Sequence, residues 1–117
     1  MENNALLSLQ FVRNVVSALP GTSEKICFDT PAFYVNNKII ARLKEDDENF
    51  VLYTEERDKW MQADPVTFHI TDHYVNYKFM LVRLDTVNPD DMKQLLITAW
   101  KNRAPKRLLK DWEEGNK

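Results

Sequence analysis

The sequence predicts an α+β fold, a single antiparallel sheet flanked by an N-terminal helix and by C-terminal helices. Three observations lead there. Apolar residues recur at helical spacing over residues 5–18 and again after residue 88, at the two ends of the chain. Between them lie short runs rich in β-branched and aromatic residues, separated by Asn, Asp, Pro and Gly. The whole chain, 1–117, is the length of one domain, and its 44% hydrophobic content fills one core without metal or disulfide support.

Each element has its own signal. Leu7, Phe11, Val15 and Ala18 form a stripe that Val12 and Leu19 widen, which predicts a helix over 5–18. Pro20 disfavours helix at Leu19, and Gly21 permits a sharp turn. Ile26 and Phe28 share a face of a first strand over 24–28, and Asp29-Thr30-Pro31 ends it. Strands over 32–35 and 38–43 follow, joined by Asn36-Asn37, a pair that tolerates positive φ in a tight hairpin. The acidic run Glu45-Asp46-Asp47-Glu48 makes the next turn and leads into a strand over 49–53.

A short helix over 55–62 is expected next, with Thr54 as its cap and Pro65 after it. Residues 66–76 fit no single pattern. Tyr77 to Leu84 is apolar on both faces, which predicts a strand inside the sheet rather than at its edge. Asn88-Pro89-Asp90-Asp91 is a strong helix start: a capping Asn, Pro in the first turn, and acids on the positive end of the dipole. That helix runs to about Arg103, and Pro105 opens a last helix closed by Gly115.

Composition excludes several classes. Cys27 is the lone cysteine, so no internal disulfide forms, and a reducing compartment suits it. The first nine residues lack the basic and apolar regions of a leader, and no stretch approaches a membrane span. A cytoplasmic protein is expected. The net charge is −2, but it is unevenly spread. Residues 1–91 hold nine Lys/Arg against fifteen Asp/Glu, whereas 92–117 hold seven against three, and none of those acids falls between Met92 and Lys110. Local potential of this kind steers charged partners more than net charge does.

A set of segments resembles one known family. Leu19-Pro20-Gly21-Thr22, then Pro31-Ala32-Phe33-Tyr34-Val35 and Lys38 to Leu43, resemble the opening of the MmcQ/YjbR family. Thr71 to Tyr77 with Leu81-Val82-Arg83-Leu84, and Ala99-Trp100 with Ala104 to Leu108, resemble later segments of one branch. The resemblance spans about residues 5–112. It implies an antiparallel sheet flanked by helices, similar to type III secretion chaperones and to a double-wing arrangement. Members are commonly labelled DNA-binding, and the resemblance supplies no catalytic set or cofactor.

Candidate residues can be weighed one group at a time. Lys101, Arg103, Lys106, Arg107 and Lys110 could contact phosphates, which requires only reachable positive charge. If Pro105 opens a separate helix, Lys106 and Arg107 occupy its positive end and Glu113 and Glu114 its negative end. That is the reverse of what the dipole favours, and broken local rules mark sites. The plainer reading is a solvated helix face.

His69, Asp72 and His73 are metal-type ligands, but extended backbone sends Asp72 to the opposite side, and structural histidines are the expected role. Cys27 shares a strand face with Lys25 and reads as structural. Trp60, Trp100 and Trp112, with Phe33, Tyr34 and Tyr53, could stack on bases, although helical spacing favours core packing for Trp100 and Trp112. Glu45 to Glu48 lacks the spacing and Gly of a calcium loop, reads as a hairpin tip and would repel DNA.

No catalytic motif stands out and no Gly-rich loop points to a phosphate cofactor, so neither an enzyme nor a cofactor is expected. Double-stranded DNA bound through the basic C-terminal helices is the leading expectation. A protein-interaction or chaperone-like module is the alternative, and a membrane partner is not expected.

Overall fold

The computed structural model describes residues 3–115. Helix α1 (Asn3–Ser17) leads into four strands, β1 (Thr22–Cys27), β2 (Thr30–Val35), β3 (Lys38–Leu43) and β4 (Asn49–Tyr53). Helix α2 (Arg57–Ala63), the two-residue strand β5 (Phe68–His69), a 3-10 turn at Asp72–Tyr74 and strand β6 (Phe79–Arg83) follow. Helices α3 (Pro89–Arg103) and α4 (Lys106–Gly115) complete the chain. The strands form one antiparallel sheet in the order β1-β2-β3-β4-β6-β5. The predicted α+β architecture is therefore present, and β6 lies inside the sheet as its two apolar faces required.

The sheet has two unlike faces. Phe33, Val35, Leu43, Phe50, Leu52, Met80 and Val82 point to one of them, where α1 and α3 bury them. A register shift between β2 and β3 makes Ile40 an extra residue, so Ile40 and Ala41 are both fully buried. Helix α1 buries Leu9, Val12 and Val16, and Leu19 just beyond its end is buried with them. The stripe predicted through Leu7 and Ala18 is thus displaced: those two are exposed, and Phe11 and Val15 only flank the core. The displaced stripe ends at Leu19, next to Pro20, whose carbonyl accepts a 3.0 Å bond from Trp100 Nε1. Trp100 is fully buried and fastens α3 to the end of α1. Gly21 has φ +72 and packs against Leu108, so the turn has no room for a side chain.

Local chemistry explains most of the boundaries. Asn88 caps α3, its side chain accepting from the Asp90 amide at 2.8 Å, with Pro89 at the first position. Ala104 is extended (ψ 142), so α3 and α4 are separate helices and Lys106 and Arg107 sit in the first turn of α4. Thr54 is two residues early as a cap: Glu56 holds the cap position of α2, and Thr54 Oγ1 accepts from the Glu56 amide instead.

Two hairpins share one turn geometry with very different residues. Asn36 and Asn37 join β2 to β3 at φ 51 and 62. Phe28 and Asp29 join β1 to β2 at φ 51 and 66. The left-handed region costs an ordinary residue roughly 1–2 kcal/mol and costs Asn much less. Phe28, expected in a strand, is in this strained turn instead.

Candidate functional site

The other face of the sheet is covered in part by the 3-10 turn Asp72–Tyr74 and the segment that follows it. Cys27, Tyr34, Ile39, Arg42, Val51 and Phe79 form the floor of an open cleft of about 530 Å³. Phe28 stands at one rim and His73, Tyr74 and Tyr77 at another, with Asn37, Lys38 and Arg103 completing the lining. Rings dominate it. His73 meets Tyr74 edge-on at 4.7 Å between centroids and lies 6.1 Å from Tyr77, while Tyr74 lies 6.3 Å from Phe79. Phe28 is 74% and Tyr77 57% exposed, although burial is the ordinary fate of large rings.

Charge on this surface is one-sided. Lys38, Arg42 and Arg103 line the cleft and, among the described residues, no carboxylate does. Arg42 is only 8% exposed, and its guanidinium lies 5.3 Å from the Phe28 ring. It donates to Tyr74 Oη at 3.4 Å and to Glu45 at 3.0 Å, and Glu45 belongs to the adjoining groove beyond Phe28. Burial alone would lower the Arg42 pKa, but the bonds to Tyr74 and Glu45 outweigh it and hold the group above its ordinary value. Burial also pushes the Tyr34 phenol up, and neighbouring Cys27 adds to this. Both groups therefore keep their protons across the physiological range.

The wall between the 3-10 turn and β6, residues 75–78, has no regular structure of its own. Arg57, at the start of α2, supplies its order. Its guanidinium donates to the carbonyls of Tyr74 (2.7 Å), Val75 (2.7 Å), Tyr77 (2.6 Å) and Phe79 (3.3 Å). A planar fork of N–H groups suits such a cluster of acceptors.

With this geometry in view, comparison with known proteins places the chain. The family model described as YjbR matches residues 17–102. The chain belongs to the YjbR family. No curated protein matches it significantly. The crystal structure of Deinococcus radiodurans protein DR2400, described with a DUF419 domain, is similar with a TM-score of 0.68. The two are 24% identical over 79% of this chain and 75% of that one, a likeness that concerns the fold alone. The YjbR match contains the cleft from Cys27 to Phe79, whereas Arg103 and the cations of α4 lie beyond its end.

The predicted phosphate contacts fall into two groups. Arg103 turns into the cleft: it donates to Ile39 O at 2.8 Å and its guanidinium lies 3.9 Å above the Tyr53 ring. Lys101, Lys106, Arg107 and Lys110 are exposed, Lys101 lying 4.7 Å over the Trp112 ring. Only Ala104 and Pro105 separate Arg103 from Lys106. The predicted aromatic platform divides as well. Trp100 and Phe33 are core, Trp60 packs edge-on against Phe68, Trp112 lies against Trp100, and Tyr53 supports Arg103. Tyr34 reaches the cleft, where Phe28, Tyr74, Tyr77 and Phe79 join it, and residue spacing singled out none of these four.

His69 ends β5 while Asp72 and His73 share the 3-10 turn, and among the described residues no group of three His, Cys, Asp or Glu is arranged to hold a metal ion. Burial holds the His69 imidazole below its ordinary pKa, with Arg83 adding to this. Its Nδ1 has no hydrogen-bond partner, and a hydrogen bond with the Thr67 backbone opposes the shift without reversing it. A depressed folded pKa means that protonation favours the unfolded chain. Stability is then full above about pH 6.5 and falls as pH drops through the folded value. His69→Leu is expected to flatten the decline in urea midpoint between about pH 7 and pH 5. An unchanged decline would assign it to other groups.

Cys27 is half-buried beneath the cleft, beside Tyr34. Glu45 to Glu48 form the β3–β4 turn, where Asp46 accepts from the amides of Glu48 and Asn49. Burial would raise the Asp46 carboxyl, but these bonds hold it below the usual range.

Proposed function

We propose that this YjbR-family domain binds nucleic acid on the cleft face of its sheet, and that it is a binding module rather than a catalyst. One observation carries the reading: in a chain of net charge −2, the aromatic cleft is lined, among the described residues, by three cations and no carboxylate. Rings offer stacking surface and cations neutralise phosphate, which is the combination that strand-binding grooves use. Lys101, Lys106, Arg107 and Lys110 extend the positive surface from Arg103 along the chain, and their role is to hold phosphates outside the cleft.

Fluorescence anisotropy with mixed-sequence oligonucleotides, single- and double-stranded, tests this at about 50 and about 200 mM salt. Affinity is expected to fall by at least tenfold over that range. A variant combining Lys38→Glu, Lys106→Glu and Arg107→Glu changes exposed residues only and is expected to lose binding while keeping its urea midpoint. Arg103 is left intact because it supports Ile39 and Tyr53. Absence of binding to either oligonucleotide at low salt would sink the reading.

A second reading rests on strand β1. It is a six-residue edge strand, exposed at its four central residues, with Ile26 70% accessible. Unpaired edges of that kind accept a strand from a protein partner. Concentration-dependent dimerisation that Ile26→Lys abolishes would favour it.

A further inference from the structure

We infer that the cleft takes a single strand rather than a duplex, with one unstacked base lying on the Phe28 ring and its neighbouring phosphates facing the cleft cations. The inference rests on the nucleic-acid reading and adds the form of the ligand. Its first support is the pair of hairpins described above. Both turns place two residues in the left-handed region, and only one of them uses residues suited to it. Phe28 is a poor choice for φ 51, and its ring recovers little by packing, since three-quarters of it faces solvent. Strain retained without a packing return is characteristic of binding sites.

The second support is where the ring stands. The strained turn sets Phe28 at the cleft rim, within 5.3 Å of the Arg42 guanidinium. Most of the surrounding lining is cationic or aromatic, with Cys27, Asn37, Ile39 and Val51 between, and the cleft, at about 530 Å³, has the volume of one or two nucleotides rather than of a helix. A paired base in a duplex has both faces covered by its neighbours, so a protruding ring has nothing to stack on. An unstacked base offers a free face, and stacking of that kind tolerates any sequence.

The test compares the wild-type protein with Phe28→Asn and Phe28→Tyr. Urea denaturation is read beside anisotropy with a labelled 12-mer as single-stranded DNA, as single-stranded RNA and as duplex. Wild type is expected to bind one of the single strands at least tenfold tighter than the duplex. Phe28→Asn is expected to raise the urea midpoint, because Asn suits the turn, while weakening single-strand binding by about tenfold. Phe28→Tyr keeps the ring and is expected to keep the affinity. Equal or tighter duplex binding would overturn the inference and leave the nucleic-acid reading standing. Unchanged single-strand affinity in Phe28→Asn would overturn the role of Phe28. An unchanged or lower midpoint in Phe28→Asn would overturn the claim that the ring is held at a cost to the fold. No binding to any form would overturn both readings.

Discussion

Replacing Arg57 with methionine is expected to cost about 2–4 kcal/mol, because four backbone carbonyls lose a charged donor at once. Each such bond is worth roughly 1.5–3 kcal/mol, and solvent access to residues 75–78 reduces the sum. Methionine keeps the alkyl contacts, so the loss reports the guanidinium. The larger effect falls on the cleft. His73, Tyr74 and Tyr77 are carried by the segment that Arg57 holds, and without it they lose their fixed spacing. Amide hydrogen exchange is expected to accelerate over residues 74–79 in Arg57→Met and to stay unchanged in β2 and β3. Arg57→Lys is expected to behave nearly as badly, since one ammonium cannot serve four carbonyls arranged for a planar fork. Unchanged exchange in this segment would show that the wall is held by other contacts.

Trp100→Ala is expected to destabilise the fold by about 3–5 kcal/mol, measured by urea denaturation. The indole is fully buried between the sheet and both terminal helices, and removing it opens a cavity that rigid neighbours cannot fill. It also leaves the Pro20 carbonyl without its donor and takes away the ring that Trp112 packs against, at 5.7 Å. Trp100→Phe separates these contributions. It keeps most of the volume and is expected to cost about 1–2 kcal/mol, the value of a lost hydrogen bond with a modest void. A loss below about 1 kcal/mol in Trp100→Ala would mean that α3 is held mainly by Met92, Leu95 and Leu96.

The parts of the fold that were legible in the sequence are those where local preference and tertiary role agree. Asn36-Asn37 is such a case, because Asn tolerates the backbone that the hairpin demands. Asn88-Pro89 is another, where cap, first-turn proline and acids all favour one helix start. Strand β6 was legible because it is apolar on both faces. Phe28 was not, since its residue type contradicts its conformation and its apolar neighbours suggested a strand.

Most of the candidate site was illegible for a different reason. Its side chains come from five separated segments, and what unites them is the placing of β6 beside β4, which no spacing encodes. Arg103 was singled out for its charge, but its place against Tyr53 and Ile39 depends on how α3 crosses the sheet. The basic C-terminal stretch was legible as charge, and the rings that complete the surface were not.

Strand β3 joins two electrically opposite ends of the molecule. Lys38 and Arg103 are at its start, and the turn from Glu45 to Glu48 follows its end. Six residues of strand separate them by about 20 Å. Ions in a physiological medium screen charge over about 8 Å, so neither end cancels the other. An approaching polyanion therefore feels a torque before it makes contact: the acidic turn swings away and the cleft mouth swings towards it. Under the proposed nucleic-acid reading, orientation would be decided during diffusion, and encounters would be productive more often than the exposed area of the cleft alone would allow.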